Sequence, residues 1–197
     1  ELMGLSECRR VPTPIPEGSK PRRTVDTDKS ANTSWKYASI LGGVLYIANT
    51  TRPDICYSAH LLTRYLRNPN EAHHVLLKRL VRYLYHTRHV GLKFTSGGSN
   101  PYRLSSASDS SFADCVDTNR STLGFCTWLG DEPNGLISWG SRIAKTVALS
   151  TTEAEVQASI EALREVLWTR DFLGELGYIQ SGSTRLWIDN NGAIGQI

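Results

Sequence analysis

Residues 148–155 read Ala-Leu-Ser-Thr-Thr-Glu-Ala-Glu, and the way this octet opens a helix decides the fold. Ser150-Thr151-Thr152-Glu153 has the form of a capping box, in which a hydroxyl and a carboxylate three residues apart satisfy N–H groups left bare by the first helical turn. The spacing after it predicts a helix with Val156, Ile160, Leu163, Leu167, Leu173 and Leu176 on its buried side, closed by Gly177 in the left-handed conformation. Upstream, Leu104 to Ser111, Ser121 to Leu129 and Leu136 to Ser141 are short, turn-bounded and rich in Thr, Phe, Trp and Ile, which predicts an antiparallel meander. Residues 130–135, Gly-Asp-Glu-Pro-Asn-Gly, supply the turn between the last two. Downstream, Thr184 to Asp189 predicts a fourth strand, and Asn191-Gly192-Ala193-Ile194 starts another helix. Three strands, a helix, a strand and a helix imply an α/β (α+β) unit, a mixed sheet with flanking helices.

The sequence before this unit differs in kind. Residues 1–34 hold Pro12, Pro14, Pro16 and Pro21 with little apolar periodicity, which predicts an extended linker without a core of its own. Residues 35–94 predict a small helical module. A first helix carries Tyr37, Ile40, Leu41, Val44, Leu45 and Ala48, a second Ile55, Ala59, Leu62 and Leu66, and a third, from Glu71 to His86, Leu76, Leu80 and Leu84. Arg52-Pro53-Asp54 separates the first two, and residues 95–101 read as a flexible joint before a domain spanning 102–197.

Charge divides at the same joint. Residues 52–94 carry eight Lys/Arg against Asp54 and Glu71, whereas residues 95–197 carry seven Lys/Arg against twelve Asp/Glu. The pairing suits a protein that grips phosphates with one part and holds cations with the other, although two unrelated solvated surfaces give the same numbers. No run is long enough to cross a bilayer, and Glu-Leu-Met-Gly at the start lacks the features of a signal peptide. The four cysteines have no Cys-x-x-Cys spacing and are expected as free thiols. All five His lie in the basic helical segment and no Gly-x-Ser-x-Gly turn occurs, which argues against a Ser-His-Asp hydrolase.

Asp109, Glu155 and Asp189 fall on the first strand, in the first turn of the long helix and at the carboxyl end of the fourth strand. Each has an ordinary reading alone: Asp109 as surface loop, Glu155 as a partner of the helix dipole, Asp189 as the start of a turn. In this order on this element pattern they suggest a cluster able to hold divalent cations, as two-metal phosphodiester hydrolysis requires.

At Ala107 to Ala113, Arg120 to Gly124, Ile137 to Trp139, Ala148 to Glu155 and Asp189-Asn190 the sequence resembles the ribonuclease H domain of copia-type LTR retrotransposon Pol polyproteins. Upstream, Tyr37 with Leu41-Gly42, Thr51-Arg52-Pro53-Asp54-Ile55, Asn68-Pro69, His73 or His74, and Arg82-Tyr83-Leu84 with Thr87 resemble the end of that family's reverse transcriptase. The resemblance implies a ribonuclease H-like fold and a nuclease cutting the RNA strand of RNA–DNA hybrids. It further implies Asp109, Glu155 and Asp189 as catalytic metal ligands, Mg2+ or Mn2+ as cofactor, and the rest of the Pol polyprotein as a partner. Glu155 is preferred to Glu153, which suits the cap. Lys78, Arg79, Arg82, Arg88 and Arg120 are the candidate nucleic-acid contacts, residues 35–94 serving as a thumb- or connection-like module. The expected location is the cytoplasm, in a virus-like particle, or the nucleus.

The sequence departs from the pattern at Ala107, Ser111 and Asp114, none of which removes Asp109. The chain starts at Glu1 and ends at Ile197, where the second helix of the domain begins, and is expected to be a truncated piece lacking the family's last metal-site residue. Weak or no nuclease activity is therefore expected of it alone. No Asp-Asp pair of a polymerase palm occurs. The alternative is an inactive relic or a repurposed nucleic-acid-binding module.

Overall fold

A computed structural model describes residues 8–31, 34–95, 100–130 and 135–197. The expected joint and the turn before the third strand fall largely outside the described residues. The chain divides into two units, Glu1–Gly91 and Leu92–Ile197. Among the described residues no helix is long and apolar enough to cross a membrane.

The first unit is helical. Helix α1 (Tyr37–Thr50) buries Tyr37, Leu41, Val44 and Ala48, a stripe at spacings of four, three and four. A 3₁₀ turn (Pro53–Ile55) leads into α2 (Cys56–Thr63), whose Ala59 and Leu62 complete the core with Ile55. Leu66, expected on that face, lies past the helix end and is exposed. Helix α3 (Glu71–His86) is capped by Asn70, whose Oδ1 accepts from the His73 N–H (3.2 Å) while its own N–H donates to His73 Nδ1 (3.0 Å). His73 is buried and stacked on Tyr65. The cap turns His73, Leu77 and Leu80 inward, so Leu76 and Leu84, expected at the centre of the core, are only partly buried.

Two fragments distant in sequence meet at one polar cluster. Arg52, 4% exposed, pairs with Asp54 (2.7 Å) and donates to the Thr87 carbonyl (2.9 Å) and Thr87 Oγ1 (2.8 Å). The Tyr83 hydroxyl donates to Asp54 from the side (2.9 Å). Burial opposes ionisation of Asp54, but the hydrogen bonds from Arg52 and Tyr83 outweigh it and hold its carboxyl below the usual range. The cluster ties the turn after α1 to the end of α3.

The described part of the proline-rich segment forms no helix or strand, yet it is fastened to this unit. Val11 and Ile15 are buried, Arg79 donates to Thr13 Oγ1, Arg82 to the Arg9 carbonyl, and Tyr65 to the Pro21 carbonyl.

The second unit is built on a four-stranded sheet: β1 (Leu104–Ser111), β2 (Thr122–Leu129), β3 (Leu136–Ile143) and β4 (Arg185–Trp187), in the order β3-β2-β1-β4. The first three form the expected antiparallel meander, and β4 runs parallel to β1, so the sheet is mixed. Strand β4 stops two residues short of Asp189, leaving that residue in the connection to the short helix α5 (Asn191–Ile194).

Helix α4 (Thr151–Glu175) crosses the sheet antiparallel to β1. Ser110 meets Glu155, Ser108 meets Ser159, and Leu104 packs with Val166 and Leu173. The face turned inward is not the one the apolar spacing predicts. Ala154, Ala158 and Ala162 are fully buried with Glu155, Ser159, Val166, Thr169 and Leu173, while Ile160, Leu163, Leu167 and Leu176 are exposed and Val156 is half-buried. The helix is apolar on two sides, and the serine-lined strand favours the side with the small residues, which permits close approach. Only Leu173 belongs to both sets. Ala158→Leu is therefore expected to destabilise this unit by about 1–3 kcal/mol, and Leu167→Ala to stay within about 0.5 kcal/mol, as read from urea unfolding of the two variants.

Candidate metal centre

Strand register brings the first two acids level. Ala107 pairs with Trp187 across the parallel β1–β4 ladder, so continuing two residues along each chain sets Asp109 beside Asp189. The third arrives from above, because α4 begins over the end of β1 and carries Glu155 in its second turn. The connection after β4 is drawn against that helix start. Asn190 Oδ1 accepts from the Ala193 N–H (2.9 Å), and a Cβ on Gly192 would lie 2.9 Å from Thr152 Oγ1, so only glycine fits this approach without displacement. One carboxylate oxygen from each of Asp109, Glu155 and Asp189 lies within 4.8 Å of the other two.

The three are not equivalent. Asp109 and Asp189 are exposed, whereas Glu155 is 5% exposed. Its Oε1 accepts from the Ser110 N–H (3.1 Å) and Ser110 Oγ (2.7 Å). Its Oε2 is buried with no hydrogen-bond partner among the described residues. A buried carboxylate oxygen left unpaired carries its full desolvation penalty, and a cation shared with Asp109 and Asp189 would relieve it. An all-oxygen anionic donor set suits Mg2+ or Mn2+.

Neighbouring residues have separate tasks. Glu153 Oε2 accepts from the Leu149 N–H (2.8 Å) and the Glu153 N–H donates to Ser150 Oγ (3.1 Å), so the reciprocal bond of the expected capping box lands one residue upstream of the cap. Ser121 is fully buried and its Oγ accepts from the Ala113 N–H (3.1 Å), a turn-holding role. Asp114 accepts from Thr122 Oγ1 (2.7 Å), and Ser111 is exposed. Arg120 is half-buried beside this turn, outside the carboxylate cluster.

Of the basic candidates on and after α3, Lys78 and Arg88 are exposed. Arg79 and Arg82 are partly covered by the proline-rich segment, to which they donate. Sequence reading passed over Ser110 and Gly192. Alternation along β1 carried the signal for Ser110, because it turns the residue after Asp109 toward the helix.

A mixed sheet in this strand order, crossed by one long helix and preceded by a helical part, is consistent with a ribonuclease H-like fold. The chain is 34% identical over 199 residues to the retrovirus-related Pol polyprotein from transposon TNT 1-94 of Nicotiana tabacum, covering 98% of this chain and 14% of that protein. It is 34% identical over 182 residues to the corresponding polyprotein from transposon RE2 of Arabidopsis thaliana, covering 92% of this chain and 12% of that protein. With the secreted RxLR effector protein 161 of Plasmopara viticola it shares 38% identity over 132 residues, 67% of this chain and 89% of that protein. The chain is thus similar to retrovirus-related Pol polyproteins of plant transposons and spans only 14% and 12% of the two it matches here. No protein-family model and no solved structure matches it.

Proposed function

We propose that Asp109, Glu155 and Asp189 hold divalent cations, Mg2+ or Mn2+, for hydrolysis of the RNA strand of an RNA–DNA hybrid, as one part of a longer Pol polyprotein. The observation that carries this reading is the convergence of the three carboxylates with one buried, unpartnered oxygen among them. When bound, the cations supply Lewis-acid stabilisation of the phosphoryl group and activation of water. The chain's own contribution is placement. Asp109 is fixed by the β1–β2 ladder, Glu155 is held by Ser110, and Asp189 is drawn in by the Gly192 approach. The exposed carboxylates leave one side of the cluster open for a phosphodiester.

The deciding experiment is cleavage of a labelled RNA–DNA hybrid by the intact chain with Mg2+ or Mn2+ and with chelator. Metal-dependent cutting of the RNA strand, however weak, is the expected result. Hybrid binding without cutting would favour a repurposed or relic nucleic-acid-binding module.

Nucleic-acid binding through the basic helical unit is part of the same proposal. Hybrid affinity is expected to fall with salt, and Lys78→Ala or Arg88→Ala each to reduce the log–log salt slope by about 1. Arg79→Ala and Arg82→Ala would also release the proline-rich segment, so a mixed effect is expected of them. Salt-independent affinity, measured by fluorescence anisotropy, would refute the electrostatic reading.

A further inference from the structure

We propose that Ser110 is a positioning residue for the metal centre: its hydroxyl and N–H together clamp Glu155 Oε1 so that Oε2 is the oxygen presented to a cation. The proposal rests on the metal-binding reading above and assigns a task to a residue that contributes no ligand atom itself.

The geometry is one-sided. Both donors of Ser110 converge on the same carboxylate oxygen, at 3.1 Å from the N–H and 2.7 Å from Oγ, and Oε2 receives nothing from the described residues. A carboxylate held by one donor can exchange its oxygens by turning about its last torsion, which is broad for glutamate. Two donors on one oxygen, from a strand residue and its own backbone, fix which oxygen is left for the metal. Hydrogen-bonded neighbours of this kind orient a ligand and raise its affinity.

Placement on β1 gives the clamp a second effect. Ser110 follows Asp109 directly, so one strand supplies a ligand and, on its next residue, the holder of a second ligand. The turn of α4 that carries Glu155 is fixed as well, because Ser159 Oγ donates to the Glu155 carbonyl (2.9 Å) and lies 3.3 Å from Ser108 Oγ. Backbone position is thus set by Ser108 and Ser159, and carboxylate orientation by Ser110. The two can be separated by substitution.

The test is Mn2+ affinity of the intact chain, measured by electron paramagnetic resonance of free Mn2+, with circular dichroism as a check on folding. Ser110→Ala keeps the N–H and loses the hydroxyl, so a loss of about 10-fold is expected, the lower end of the range for an orienting partner. Ser110→Thr, which restores a hydroxyl on a strand-compatible residue, is expected to recover affinity to within about threefold of the parent chain, on the same scale. Ser106→Ala removes a buried hydroxyl of the same strand that donates to the Cys126 carbonyl and touches neither the carboxylate nor its helix turn, and should leave affinity nearly unchanged. Unaltered affinity in Ser110→Ala, no recovery in Ser110→Thr, or an equal loss in Ser106→Ala would each overturn the proposal. If the parent chain itself fails to bind Mn2+, the metal-centre reading falls and takes this one with it.

Discussion

Asp109→Asn is expected to abolish metal-dependent hybrid cleavage while leaving the fold intact. Asn matches Asp in shape, and Asp109 is exposed on a strand paired along its whole length with β2, so the substitution removes a charge and little else. Metal stabilisation of a phosphoryl transition state contributes several kcal/mol, which corresponds to about a 10³-fold loss of rate. Glu155→Gln should lose activity to the same degree but carry a different stability signature. Its carboxylate is 5% exposed with one oxygen unpaired, so neutralising it relieves a desolvation penalty. Without metal, Glu155→Gln is expected to melt at a higher temperature than the parent chain. With saturating Mn2+, the parent should gain stability through binding and Glu155→Gln should not. Thermal melts with and without Mn2+, beside single-turnover cleavage, decide the matter. Parent-like cutting by Asp109→Asn would refute the site.

The second large effect lies in the helical unit. Arg52→Ala is expected to cost about 3 kcal/mol, because it leaves Asp54 without its partner and the Thr87 acceptors without their donor. The figure sits at the low end for breaking a buried pair, since the Asp54 side chain is 34% exposed and water can reach it. The pH dependence has a definite sign. Asp54 is held below its ordinary range when folded, so its contribution is complete above the unfolded carboxyl value of about 3.9. It is lost as pH falls through the lower folded value. Asp54→Asn should therefore be less stable than the parent near neutrality and converge with it in strong acid. Urea unfolding at pH 7 and near pH 3 tests both substitutions, and equal stability of Arg52→Ala and parent at pH 7 would rule the cluster out as a fastening.

Much of this architecture is legible in the sequence because it is local. Leu104–Ser111 is predicted to the residue, and Ser150 with Glu153 marks the start of α4 although the carboxylate reaches Leu149. What the sequence hides depends on partners it does not name. Helix α4 carries large apolar residues on one side and small ones on another, and periodicity alone favours the large. The serines of β1 reverse that choice, since a strand lined with small polar side chains accepts alanine and serine at close range. Asp189 was expected at the end of a six-residue strand, but the ladder to β1 closes after three pairs. The motif fragments at Arg52-Pro53-Asp54 and at Tyr83 with Thr87 are read separately along the chain, and only the fold reveals that they are one cluster.

The brevity of β4 changes what occupancy of the centre means. Asp109 and Glu155 stand on an eight-residue strand and a 25-residue helix, while Asp189 hangs from three ladder pairs at the end of the sheet order. A cation coordinated by all three would act as a staple between a well-anchored interior and a weakly anchored margin. Its apparent affinity then includes the work of seating that margin, and closing the margin and filling the centre become a single equilibrium.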